Sequence, residues 1–421
     1  MSTKGSYLKG FIARGGAWYF LASIYPKVIY ALTPIWLVRA MGVDEFGLLE
    51  FVRAIFFILV PFFCAGLHES LLLEGAKKSK EEVRSLYSKL LPISIGFSMI
   101  LACGVLLSNS FGWVLDGGEG YLLIMAAYPV TFGVFLLYTN YLRAANEKER
   151  YAACMILSAS LFALFVLFSN GNGELVALAW VLCPLVAVLL VAAYSAREHA
   201  ALLGQSGEIE SIKFGGLLKS LKYGFLVGLG GVVSQLSLFS DSILIGVITG
   251  ESELVGIYRV LAVIPSLVLF LPNLMLKGDF VFIANLSGSD VKRYYFDYVR
   301  SFVVLVVFPL LVFAASSRYF FEYVYGLTVE GDILLVNLIM ILSCVFSCLL
   351  RVPLGGIMYA LGYARFNVIN AVFSAVLGLV LGWVLINYLG IIGAAVSTLV
   401  VVLLGSAAQL YYFLLKVAER R

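Results

Sequence analysis

The chain alternates long apolar runs with short polar breaks, and the runs are long enough to cross a membrane. A helix rises 1.5 Å per residue, so about 20 apolar residues span the ~30 Å hydrocarbon layer. On that basis the pattern predicts twelve spans, over 15–38, 48–72, 90–107, 121–142, 152–169, 175–195, 223–248, 255–276, 301–317, 332–350, 366–388 and 392–415. The last two are separated only by the break from Gly390 to Gly393. The longest inner polar segment, 196–222, holds Gly204, Gly207, Gly215, Gly216, His199 and several charges. It divides the spans six and six, into bundles over 1–215 and 216–421. The expected fold is an all-α polytopic membrane protein, with two six-helix bundles around a central cavity.

Composition supports this reading. Hydrophobic residues make up 62% of the 421 residues, charged residues 13%, and mean hydropathy is +1.00, which excludes a soluble domain of this length. Cys64, Cys103, Cys154, Cys183, Cys344 and Cys348 all fall in apolar segments, as small core residues rather than disulfide partners or metal ligands. Lys4, Lys9 and Arg14 precede the first span without a small-residue cleavage site, the pattern of an uncleaved signal anchor.

The cations orient the spans. With the N-terminus inside, 24 of the 29 Lys and Arg residues fall on inner segments, and only Arg39 and Arg318 on outer loops. The positive-inside rule therefore predicts that both termini are cytoplasmic. The net charge of +4 is a topology signal and gives no support to nucleic-acid binding. The outer loops are acidic, with Asp44, Glu45, Glu251 and Glu253 among them.

Three cations are left at membrane depth: Lys27, Arg53 and Arg259, together with Glu50 and Asp241. Lys27 is the most costly. Twelve residues of its apolar run precede it and eleven follow, so it stands roughly 18 Å from either end. A cation there costs about 2.5–3.5 kcal/mol even on the lenient insertion scale, so it has to face something polar. Other readings stand beside a functional one: a structural Lys27–Asp241 ion pair, or headgroup-level positions for Arg53, Glu50 and Arg259. Tyr25 and Tyr30 flank Lys27, and core packing is the preferred reading for both.

A weak repeat accompanies the six-plus-six division. Gly47-Leu-Leu-Glu-Phe-Val-Arg53 opens span two, and Gly256-Ile-Tyr-Arg259 opens span eight, 209 residues further on. Parallel repeats of this kind characterise transporters whose site lies near the midplane.

Other chemistry is absent. No Gly-Lys dipeptide occurs, so there is no phosphate loop. His68 and His199 lack partners at metal-site spacing, and His68 reads as interfacial. The outer loops are too short for an enzyme acting on exported sugars. Gln235, Asn273, Asn337 and Asn370 are candidates for sugar contacts.

The ordered motifs resemble a family. Leu37-Val-Arg-Ala-Met-Gly-Val-Asp-Glu-Phe-Gly47 and a span carrying Ala65-Gly-Leu67 look like the start of the Wzx-like polysaccharide flippases. These belong to the multidrug/oligosaccharidyl-lipid/polysaccharide (MOP) exporter superfamily. Met41-Gly42 replaces their usual Leu-Gly. Asp241-Ser-Ile-Leu-Ile-Gly246 with Val255-Gly-Ile-Tyr258 is similar to their spans seven and eight, and Tyr388-Leu-Gly-Ile-Ile-Gly-Ala-Ala395 to their last turn. The resemblance implies a multi-pass protein of the bacterial cytoplasmic membrane. Its substrate would be an undecaprenyl-pyrophosphate-linked oligosaccharide, flipped outward by alternating access. Lys27, Arg53 and Arg259 would meet the pyrophosphate, while Asp241 or Glu50 would serve a coupling proton or sodium ion or balance charge. No other cofactor is implied. Partners would include the bilayer, a polysaccharide polymerase and chain-length machinery. The rivals are a drug/cation antiporter of the same superfamily, which would favour an anionic cavity, a lipid II flippase, which usually has two more spans, and a membrane-embedded polymerase or ligase.

Overall fold

A computed structural model describes residues 16–75, 78–109, 112, 114–200, 214–284, 286 and 288–419. Lys4, Lys9, Arg14, Lys77, Trp113, Gly204, Gly207, Lys213, Arg420 and Arg421 lie outside the described residues. The described residues are helical and include no strand. In chain order the elements begin with α1 (Gly16–Met41), α2 (Val43–Leu59), a 3₁₀ segment (Val60–Gly66), α3 (Leu67–Gly75), α4 (Lys80–Ser108) and α5 (Glu119–Met125). Next come α6 (Tyr128–Ala144), α7 (Lys148–Phe168), α8 (Gly173–Ala200), α9 (Phe214–Thr249), α10 (Ser252–Ala284) and α11 (Gly288–Phe302). A π segment (Val303–Val307) leads into α12 (Phe308–Tyr325), then α13 (Gly331–Phe346). A second π segment (Ser347–Arg351) leads into α14 (Val352–Ala360), α15 (Ala364–Leu389) and α16 (Ile391–Glu419).

Among the described residues, ten helical stretches are long and apolar enough to cross a membrane. An eleventh is α9, if Ser220–Val233 and Leu238–Thr249, bent by 59°, count as one span. The expected span 301–317 is helical, but it runs through a π segment into α12, which carries Arg318 and Glu322. It is not among those stretches.

The helices pack into two compact units: 1–41 with 55–232, and 42–54 with 233–421. A cut at 215/216 thus differs from the packing in two places: 42–54 packs in the second unit and 216–232 in the first. In the first unit α1 packs on α7, α4 on α6, and α7 on α8. In the second, α15 packs on α16, α13 on α16, and α10 on α14.

Span two is broken. Phe63 is extended, and Cys64, Ala65 and Gly66 have φ of 51°, 52° and 68°. Pro61 lacks an N–H, and the Cys64 N–H instead donates to Ser98 Oγ at 3.2 Å. A side chain at Gly66 would put its Cβ 2.0 Å from the Gly224 carbonyl oxygen, so glycines on both helices permit the approach. The break also packs His68 inside the unit: it is buried, with Nδ1 3.4 Å from Cys64 Sγ and Nε2 3.7 Å from Glu69.

Candidate functional site

The second unit gathers four of the five predicted charges. Residues of α2 and α10 approach closely because both carry glycine at the contact. A Cβ at Gly47 would lie 1.8 Å from the Ser252 carbonyl oxygen, and one at Gly256 2.2 Å from that of Val43. The two glycines that mark the sequence repeat therefore pack against each other. One turn further along each helix, the contact brings Glu50 to Arg259.

Glu50 Oε2 accepts from Arg259 Nε at 3.1 Å and from Arg53 Nη2. Glu50 is 2% exposed, while the Arg53 and Arg259 side chains keep 15% and 14% of their surface accessible. The triad therefore buries its one negative charge and leaves two positive ones partly open, a net +1. The Arg259 guanidinium also sits 4.7 Å from the centroid of the Phe239 ring, a cation–π contact. These residues lie roughly 10–15 Å along their helices from the loop-side ends.

Asp241 is the neighbouring carboxylate. Its Oδ2 accepts from Tyr258 Oη at 2.7 Å and from Thr398 Oγ1 at 2.6 Å. Adjacent residues of α10 thus serve two different acids, Tyr258 holding Asp241 and Arg259 holding Glu50. Asp241 is about 12 Å from the end of α9, a depth similar to that of the triad. Its two hydroxyl donors carry no charge.

Lys27 belongs to the first unit. It follows Pro26 in α1 and lies on that helix's exposed face with Phe20, Leu21, Val28 and Leu32. The opposite face, with Ala22, Thr33 and Leu37, is buried. Its neighbours pack as expected: Tyr25 Oη lies 2.8 Å from Ser160 Oγ, and Tyr30 stacks on Trp180 at 5.0 Å between ring centroids.

Sequence reasoning missed Phe239 and Thr398 as partners of the charged groups. An aromatic residue or a hydroxyl on an apolar helix carries no signal until packing shows what it faces. Among the sugar-contact candidates, Asn273 and Asn370 bond backbone carbonyls, of Leu269 and Gly405 respectively. Asn337 is fully buried within its unit.

The fold is that of the MOP-superfamily exporters. The chain is similar to an inward-closed lipid II flippase MurJ, with a TM-score of 0.73 at 14% identity, covering 94% of this chain and 87% of that one. It is similar as well to an inward-facing multidrug resistance MATE family transporter of the MOP superfamily, with a TM-score of 0.72 at 14% identity, covering 95% and 98%. A third similar structure is a MOP superfamily transporter from Pyrococcus furiosus with a binding pocket of reverse polarity, at a TM-score of 0.56 and 14% identity, covering 100% and 99%. No curated protein matches the chain in sequence. Residues 12–277 match the family described as "Polysaccharide biosynthesis protein". The chain belongs to this family of membrane-embedded polysaccharide flippases.

Proposed function

We propose that the protein carries an undecaprenyl-pyrophosphate-linked oligosaccharide repeat unit from the inner to the outer leaflet of a bacterial cytoplasmic membrane, by alternating access. In this reading it has twelve spans and cytoplasmic termini, and works beside a polysaccharide polymerase and chain-length machinery. The observation that carries it is the Glu50–Arg53–Arg259 triad, whose surplus positive charge stays partly accessible at membrane depth.

A pyrophosphate moved bare through hydrocarbon would lose its hydration at prohibitive cost. Guanidinium groups replace that hydration with charge-assisted, bidentate contacts. Lys27 is the further cation that this reading assigns to the pyrophosphate. An exporter of organic cations needs the opposite polarity. Coupling falls to a proton at Asp241, whose uncharged donors leave its charge uncompensated by direct contact, whereas Glu50 is already held by two guanidinium groups.

The test is surface polysaccharide in cells carrying Lys27→Ala. The expected result is loss of the polysaccharide at unchanged membrane abundance of the protein, with partial recovery in Lys27→Arg. Wild-type polysaccharide in Lys27→Ala would overturn the proposal.

A further inference from the structure

One further cation of the second unit stands at membrane depth. The apolar pattern ends a span at 350 and leaves Arg351 on the inner segment that follows. The helix does not stop there. The apolar helical stretch runs from Gly331 through the π segment to Ala360, so Arg351 lies about 14 Å inside its end. Arg351 forms no hydrogen bond or ion pair among the described residues, and it keeps part of its surface open. An unpaired cation at that depth is expensive, and such residues mark the path of a polar substrate.

Its surroundings are protein rather than lipid. Along α13 the exposed stripe of Leu335, Leu338 and Leu342 ends at Leu342, and exposure resumes only at Tyr359. No residue from 343 to 358 is exposed. The turn at Arg351 is widened and fastened from outside. Val352 N–H donates to the Ser347 carbonyl, which frees the Cys348 carbonyl, and Pro353 has no N–H to offer Leu349. Two tyrosines of α11 take up the freed carbonyls: Tyr298 Oη donates to Cys348 at 3.2 Å and Tyr295 Oη to Leu349 at 3.3 Å. Widened turns of this kind recur at functional sites. Acids on the helices packed against it have other partners: Asp279 accepts from Tyr294 at 2.8 Å, and Asp297 lies 3.9 Å from Arg293.

The packing register sets its depth. Cys344 Sγ lies 3.5 Å from the Pro265 carbonyl oxygen, and a Cβ at Gly356 would lie 3.1 Å from Leu276 Cδ1. The helix carrying Arg351 and α10 therefore run side by side in the same direction. Arg259 stands six residues before Pro265 and Arg351 seven after Cys344. About 20 Å thus separates the two arginines along the helices. We propose that Arg351 is a second phosphate-binding station, which takes up the pyrophosphate on the inner side before it reaches Arg53 and Arg259. Those two arginines share Glu50, whereas a guanidinium with no acid of its own is free for bidentate contact with phosphate oxygens. The station rests on the reading of the substrate as a lipid-linked pyrophosphate. The same chemistry would accept an ordinary phospholipid headgroup, and the experiment separates the two.

Binding of undecaprenyl pyrophosphate to the full chain in phosphatidylcholine nanodiscs tests the station, with the melting temperature measured alongside. Arg351→Gln should weaken binding at least 10-fold. Its melting temperature should be unchanged or higher, because the substitution removes an unpaired charge from the membrane interior. Arg351→Lys should bind with intermediate affinity. A lower melting temperature in Arg351→Gln would make the arginine structural and overturn the station. Wild-type affinity in Arg351→Gln would overturn it and leave the proposed substrate standing, whereas no binding by the wild type would remove both. Adding phosphatidylglycerol to the discs should preserve the difference between the wild type and Arg351→Gln. If it erases that difference, Arg351 holds bulk headgroups and the station falls.

Discussion

Glu50 and Arg259 are 209 residues apart in the chain and joined by a 3.1 Å hydrogen-bonded ion pair. The same offset separates Gly47 from Gly256, and those two glycines make the contact that allows the pair to form. A sequence repeat thus becomes a local two-fold relationship, with the acid of one copy facing the arginine of the other.

The glycine contact predicts a stability effect. Gly47→Ala and Gly256→Ala each force a methyl group into a backbone carbonyl, at a cost of about 1–3 kcal/mol. Both should lower the melting temperature in detergent. Gly96→Ala and Gly104→Ala, with nothing within 4 Å of the added Cβ, should be neutral or stabilising by up to about 1 kcal/mol.

Removing the acid of the triad leaves two guanidinium groups facing each other. Glu50→Gln should destabilise the protein by about 3–5 kcal/mol, as breaking a buried pair does. Glu50→Gln combined with Arg53→Gln should be more stable than Glu50→Gln alone. A double-mutant cycle on detergent melting measures the coupling, and strictly additive effects would show that the contact is energetically idle.

Arg259→Lys keeps the charge but loses the Nε donor and the planar stacking on Phe239. Losing about 1–2 kcal/mol of such contacts should slow translocation roughly ten-fold. Arg259→Gln, which also removes the surplus charge, should abolish translocation. Initial rates of lipid transfer in vesicles distinguish the two.

At the neighbouring acid, Thr398→Val and Tyr258→Phe each withdraw one of the two hydroxyl donors to Asp241. Each should cost about 1–3 kcal/mol in melting experiments. Asp241→Asn keeps an acceptor oxygen and should fold. Translocation by that variant should no longer respond to an imposed pH gradient.

Much of the fold was legible because hydrocarbon imposes one rule, that a spanning segment must be apolar and helical. The five charges at membrane depth stood out for the same reason, since each is expensive there. The pairing within the triad was not legible, because it depends on how closely α2 and α10 approach, and Gly47 and Gly256 look like any other glycines beside apolar residues. Thr398 was silent because hydroxyls on apolar helices usually bond their own backbone, as Thr139 and Ser343 do. The break in span two left only Pro61 and Gly66 as traces, so the packing of His68 beside Cys64 was not legible.

The most direct test is a leaflet assay in proteoliposomes loaded with an undecaprenyl-pyrophosphate-linked oligosaccharide on one face. The wild-type protein should move the lipid to the other leaflet without changing its mass, and Lys27→Ala and Arg259→Gln should not move it. A change in the lipid's mass, or wild-type transfer by either variant, would contradict the account.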